Sequence, residues 1–219
     1  MVLVDVKKVL LSILLFFFCF CYSQTYTNYI LRNIGQISIP STLELRSGNF
    51  SKVMEPVKQK IEKQYRIQIN DDRIVFQQKG LNQFSEKGTS DYVRVIIETD
   101  YASPGSYEKS ASTMTLNQAE IAELNNVMKN QIEQSFAGTG LKLIKWNGVS
   151  VNRINGQIFL KFSYVRQLNN NPNVVVNIYQ FHNNDRAYTI TTSFRQIQAS
   201  QWIPAMNKVI GSFIITNKR

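Results

Sequence analysis

The sequence predicts an α+β fold: an antiparallel sheet of about six to eight strands with helices packed on it. Three observations carry this. From Leu141 onward apolar residues recur with period two, and Asn-rich turns break the run into a meander. Three segments instead carry the 3.6-residue period of amphipathic helices. Strands come in runs punctuated by these helices, without the strict alternation of a parallel sheet.

The first 23 of the 219 residues stand apart. Lys7 and Lys8 lead into an unbroken apolar run from Val9 to Cys21, followed by Tyr22-Ser23-Gln24. As a helix that run would measure about 20 Å, short of the ~30 Å hydrocarbon core of a bilayer. The layout is that of a secretory signal peptide cleaved after Ser23, with no stable transmembrane span afterwards. Both cysteines, Cys19 and Cys21, lie inside it, each preceded by a bulky phenylalanine, which argues against lipid attachment. The expected mature chain, 24–219, is one domain of 196 residues without disulfide, thiolate nucleophile or thiolate-bound metal. The signal removes two of 25 basic and one of 15 acidic residues, leaving a net charge of +9. That sign favours anionic partners. In an exported protein these are envelope components, and no run of four Lys or Arg marks a nucleic-acid interface.

Along the mature chain, Tyr26 to Asn33 reads as a short arm. Ile34 to Pro40 is a first strand, with Ile37 and Ile39 alternating against Gln36 and Ser38, and Leu43 and Leu45 continue its pattern. Ser51 to Tyr65 has Val53, Val57, Ile61 and Tyr65 on one helical stripe. Asn70-Asp71-Asp72 turns into a strand from Arg73 to Lys79. After a polar loop to Ser90 comes a strand from Tyr92 to Asp100, with Val93, Val95 and Ile97 on one face. Tyr101 to Ser112, centred on Pro104-Gly105, has no periodicity and reads as a mobile flap.

The helix from Leu116 to Phe136 has Thr115 and Gln118 at capping-box spacing, an apolar stripe of Ile121, Leu124, Met128, Ile132 and Phe136, and Gly138 and Gly140 as stops. Its outer residues include Glu120, Glu123, Asn126, Lys129 and Asn130, so it is expected to lie on a sheet, wet on one side. Strands follow at Leu141–Trp146 and Val149–Ile154. The Asn155-Gly156 hairpin leads into Gln157–Gln167, where Ile158, Leu160, Phe162 and Tyr164 share a face. Val174–Phe181 and Arg186–Arg195 complete the meander. A last helix, Ser200 to Phe213, aligns Trp202, Met206, Val209 and Phe213, backed by Ile203 and Ile210, and tolerates Pro204 in its first turns.

Few residues carry chemistry. The single histidine, His182, stands at a hairpin mouth beside Asn183-Asn184-Asp185, where an exposed turn residue is expected, not a general base. Glu98 and Asp100 share a strand face as a glycosidase pair would, yet sit where the strand leaves the sheet. Asp71-Asp72 lacks the alternating ligands of a calcium loop. Gly138-Thr139-Gly140 follows a helix, whereas phosphate-cradling glycines precede one. No catalytic, cofactor-binding or metal-ligating residue is named, no cofactor is expected, and binding residues are left unassigned. On the meander, the face carrying Phe159, Lys161, Ser163, Val165, Tyr179 and Phe181 is either a partner surface or a second core layer beneath the N-terminal helix; the core reading is preferred because a covered sheet is the commoner arrangement.

The segments "ISIP" (Ile37 to Pro40), "NGQIFLKFSYVRQ" (Asn155 to Gln167), "RAYTITTSF" (Arg186 to Phe194) and "VIGSF" (Val209 to Phe213), in this order of elements, resemble the PsbP/Mog-like superfamily, which includes DcrB-type envelope proteins. The resemblance spans roughly Ile34 to Ile215 and brings no catalytic signature. It implies that superfamily's fold and a role as a binding or assembly accessory. The leading expectation is therefore an exported, non-enzymatic accessory of the cell envelope, secreted or periplasmic, with a protein or anionic envelope component as partner. The alternatives are an envelope hydrolase acting on glycan or peptide bonds and a basic module binding anionic envelope polymers.

Overall fold

The computed structural model describes residues 24–65, 73–86, 88, 91–113 and 115–219. The expected signal peptide and the Asn70-Asp71-Asp72 turn lie outside them.

The large sheet has seven antiparallel strands in the order β3 (Leu43–Leu45), β4 (Ile74–Gln78), β5 (Val93–Tyr101), β9 (Arg186–Arg195), β8 (Val174–His182), β7 (Gln157–Leu168) and β6 (Leu141–Ile154). Four of these form the meander that the period-two run predicts. Asn155 and Gly156 both have positive φ, 52° and 69°, which is the backbone a two-residue hairpin turn with the right-handed strand twist demands. Leu141–Trp146 and Val149–Ile154 are one strand, not two. Pairing with β7 slips at Leu143/Lys145 and again at Trp146/Gly148, so the chain bends there without ending the strand.

A second sheet stacks β1 (Tyr26–Leu31), β2 (Gly35–Pro40) and β10 (Ile214–Ile215). The segment read as an arm is thus β1, paired along its length with β2 from Tyr26↔Pro40 to Leu31↔Gly35. Leu43 and Leu45 do not extend β2. The chain changes sheet after Pro40, and β3 pairs with β4 instead.

Three α-helices occur among the described residues: α1 (Gly48–Tyr65), α2 (Gln118–Phe136) and α3 (Ala199–Gly211). The core lies between one face of the large sheet and a cover made of α3 and the small sheet. Trp202, Met206, Val209 and Phe213 are all buried, as their spacing predicts, whereas Ile203 faces solvent. They pack with Ile37 and Ile39 from β2 and with Val95, Ile97, Tyr188 and Ile190 from the large sheet. Phe213 meets the ring of Phe181 edge-on at 4.8 Å.

This decides the open question about the meander. Phe159, Tyr179 and Phe181 belong to the core, but their cover is α3 and the small sheet, not the N-terminal helix. Burial pushes the Tyr179 hydroxyl up to about 12. α1 instead packs against the 3-10 turn Leu81–Gln83, where Phe50 stacks on Phe84 at 5.5 Å. Val53 of its expected apolar stripe is 58% exposed. The side chains of Val57, Ile61 and Tyr65 lie outside the described residues.

The opposite face of the large sheet carries α2, which packs on β6. Its cap is two residues further along than the spacing of Thr115 and Gln118 indicates. The Asn117 side chain accepts from the Glu120 amide at 3.0 Å, and the Glu120 carboxylate accepts from the Asn117 amide at 2.7 Å. Asn117 and Glu120 satisfy the same capping rule with a better carboxylate, which also complements the helix dipole. No residue of α2 is fully buried. Its attachment is Trp146, whose indole Nε1 donates to Asn125 Oδ1 at 2.8 Å, and Phe136, whose ring meets that of Tyr164 at 5.9 Å.

The segment from Tyr101 to Ser112 is not a free flap. The Ala102 amide donates to the Asp185 carbonyl, Tyr107 and Asn184 join through Tyr107 N to Asn184 O, and the Asn184 amide donates to the Glu108 carbonyl, all at 2.8–2.9 Å. The Ile158 amide donates to Ser110 O at 2.8 Å. A segment without periodicity is held here by backbone bonds that no periodicity reveals.

Candidate functional site

The residues with catalytic side chains are dispersed. His182 ends β8 half-buried, against the expectation of an exposed turn residue. Its ring lies 5.5 Å from that of Tyr107, and its Nε2 is 3.4 Å from Gln180 Oε1. Burial lowers its affinity for a proton, and the Glu108 carboxylate opposes that only in part. No serine hydroxyl and no carboxylate is recorded on its ring nitrogens among the described residues.

Glu98 and Asp100 do share a face, opposite Thr189 and Ala187 of β9. Desolvation raises the Glu98 carboxyl, with Arg73 working against the rise and Asp100 adding to it. Arg73 Nε stands 3.7 Å from Glu98 Oε1, so the glutamate is paired with a cation across the sheet. Asp100 is exposed at the strand end. Gly138 and Gly140, both with positive φ, end α2 and lead into β6, as a helix stop requires. Asp71 and Asp72 lie outside the described residues. Among the described residues no three His, Cys, Asp or Glu side chains come together as a metal site.

Asp185 is a strongly engaged carboxylate. Arg186 donates to it through Nε at 2.9 Å and Nη2 at 3.0 Å, and Arg219 adds a further bond. Hydrogen bonding to Arg186 is the main reason its pKa falls below the ordinary carboxylate range. Asn183 completes the tie, donating to Asn217 O and accepting from the Arg219 amide. This cluster clasps the C-terminal segment to the β8–β9 hairpin.

Two concavities lined by described residues stand as candidate sites. One, of about 380 Å³, lies between β1 and the β3–β4 pair and is lined by Arg32, Arg46 and Arg73 beside the exposed Ile30 and Leu45. The other, of about 710 Å³, opens where the loop after β4 meets the start of α3. Both volumes fall in the range of small-molecule sites. In the larger one Gln78, nearly fully buried, organises the wall: its Nε2 donates to the carbonyls of Gly88 at 2.8 Å and Asp91 at 2.6 Å. Asp91 Oδ1 accepts from the Tyr92 amide at 2.7 Å. On the far wall, Trp202 is 3% exposed, and its Nε1 has no partner among the described residues; neither does Gln198 Oε1.

No protein-family model and no curated protein sequence matches this chain. Its fold is similar to the solution structure of cyanobacterial PsbP from Synechocystis sp. PCC 6803, at 11% identity, with 90% of this chain and 95% of that chain covered and a TM-score of 0.50. A protein of unknown function from Pseudomonas aeruginosa is similar over 86% of this chain and 96% of its own, at 12% identity and a TM-score of 0.40. A Bacteroides thetaiotaomicron chain is similar at 9% identity and a TM-score of 0.42, and this chain spans 48% of its length against 87% of its own. The chain has a PsbP-like α+β fold.

None of the three spacing-derived candidates, His182, the Glu98 and Asp100 pair, or the Gly138 and Gly140 loop, lines either concavity. The described residues lining the larger one come from five separate stretches of chain, so no local spacing brings them together. Trp202 was assigned to the core on its helical spacing, which is correct for its ring and silent about its nitrogen.

Proposed function

We propose that this protein is an exported, non-enzymatic binding or assembly accessory of the cell envelope. The observation that carries the reading is the make-up of the two concavities. Among its described lining residues the larger holds one carboxylate, Asp91, and no histidine; the smaller holds three guanidinium groups and no base. Hydrolysis of a glycosidic bond by a carboxylate pair needs a second carboxyl group, and the described lining residues of neither concavity supply one. A PsbP-like fold accords with an accessory role. Export rests on the N-terminal lysines and apolar run.

The arginine-lined groove supports a second reading, in which the chain binds anionic envelope polymer. Arg32, Arg46 and Arg73, the last of them also 3.7 Å from Glu98, set three guanidinium groups around a concavity in a chain whose expected mature charge is +9. Affinity capture from envelope extract with the native protein, repeated with Arg32→Glu, tests both. Retention of a defined protein in both cases supports the accessory reading, and salt-sensitive retention of acidic polymer lost in Arg32→Glu supports the second. Turnover of envelope glycan or peptide that disappears in Asp91→Asn overturns both.

A further inference from the structure

Four strands stand at sheet edges among the described residues: β1 and β10 in the small sheet, β3 and β6 in the large one. An open edge offers N–H and C=O groups to any extended chain, and natural sheets guard theirs with brevity, charge, proline or bulges. β3 and β10 are three and two residues long. β6 carries Lys142, Lys145 and Arg153 and slips register twice. β1 has none of these guards: its six residues, YTNYIL, include no charge and no proline, and its register with β2 is unbroken.

The ladder fixes which groups of β1 point outward. Ser41 N donates to Thr25 O at 2.9 Å, so in the antiparallel alternation Thr25, Thr27, Tyr29 and Leu31 bond towards β2. Ser38, opposite Asn28, sends its amide the other way, to Ser212 Oγ at 2.8 Å. Tyr26, Asn28 and Ile30 therefore direct their N–H and C=O groups along the outer edge. A partner can reach that edge: Thr27 and Asn28 are exposed, and Ile30 is 89% exposed. The edge runs into the smaller concavity, where Ile30 and the exposed Leu45 lie beside Arg32, Arg46 and Arg73, with Arg73 also facing Glu98.

Strand pairing needs main-chain groups repeating about every 3.3 Å, which a polypeptide has and a glycan or phosphate polymer lacks. Ile30 and Leu45 suit apolar side chains, and the guanidinium groups suit carboxylates. A second copy of this chain meets the edge but not the charge, because it would set arginine-lined groove against arginine-lined groove between chains of expected charge +9. We propose that the outer edge of β1 receives an extended acidic segment of a partner protein as an added strand, its carboxylates lying on the arginine-lined concavity. The proposal rests on the accessory reading above and names its docking surface.

The exported protein is titrated with fluorescein-labelled octapeptides that alternate valine with glutamate or valine with lysine, and with heparin. The acidic peptide is expected to bind saturably and the basic one not to bind. Asn28→Pro removes an outward N–H but no ladder bond to β2, and should weaken binding at least tenfold. Asn28→Ala keeps that N–H while losing the contact with Ser38, and should change binding less than twofold. Arg32→Glu should weaken it about tenfold. In the unsubstituted protein, hydrogen exchange at the Tyr26, Asn28 and Ile30 amides should slow when the acidic peptide is bound. Failure of that peptide to bind, binding that leaves these amides unprotected, or binding undiminished in a folded Asn28→Pro overturns the proposal. Heparin bound in place of the peptide overturns it in favour of the polymer reading, and protection of the same amides at rising protein concentration without peptide overturns it in favour of a second copy. A defined envelope protein captured without protection of this edge leaves the accessory reading standing and overturns the proposal; cleavage of the edge-bound peptide leaves the docking surface standing and overturns the non-enzymatic reading.

Discussion

Gly35 is where β2 admits β10. A Cβ built there would overlap the Ile214 carbonyl oxygen and stand 2.9 Å from its carbon and 3.1 Å from Ile215 Cα. These are backbone atoms, so no side-chain rotation relieves the clash. Gly35→Ala must therefore part β10 from β2 or strain both. Parting exposes Ile215, 2% accessible, at about 1.5–3 kcal/mol, and weakens the Thr216 N to Ile34 O bond at about 1 kcal/mol. Alanine's smaller unfolded-state entropy returns about 0.4–1 kcal/mol. The net expectation is a loss of about 2–3 kcal/mol, a large share of the stability of an ordinary domain. Urea unfolding should show a lower midpoint with an unchanged slope. Gly48→Ala is the control: nothing lies within 4 Å of its would-be Cβ at the start of α1, so the change should be neutral or stabilising by up to about 1 kcal/mol. Equal midpoints for the two variants would refute the close approach of β10.

Met206→Ala, in the core beneath α3, should cost about 2–5 kcal/mol, while Leu124→Ala on the half-buried face of α2 should cost about half as much or less; equal losses in thermal unfolding would contradict the peripheral placement of α2. His182 has its pKa lowered by burial, so below its usual value near 6.5 the unfolded chain takes up a proton that the folded chain resists. Stability should fall as pH drops from about 7 toward 5, and His182→Gln should flatten that slope in urea titrations, since this is the chain's one histidine. Intact-mass measurement of exported protein should place the N-terminus at Gln24, free or cyclised; a mass retaining Met1 to Ser23 would refute cleavage.

Local pattern by itself determined the strands of the meander, the Asn155-Gly156 turn and the buried stripe of α3, because side-chain period and turn chemistry depend only on neighbouring residues. It also placed Phe159, Tyr179 and Phe181 in a covered layer. Periodicity states that a face is buried, not which element buries it, and there the tertiary structure decided. β10 pairs with β2 from 180 positions away, Ile215 against Gly35, and that pairing is what turns an apparent arm into a three-stranded cover. α1 was displaced from the sheet because α3 and the small sheet already occupy the apolar face. Backbone bonds to Asn184 and Asp185 tied down Tyr101 to Ser112, and such bonds leave no mark in side-chain sequence. The concavity beside Trp202 is assembled from five separate stretches of chain, among them β4, its following loop and the start of α3, and it exists only once these meet.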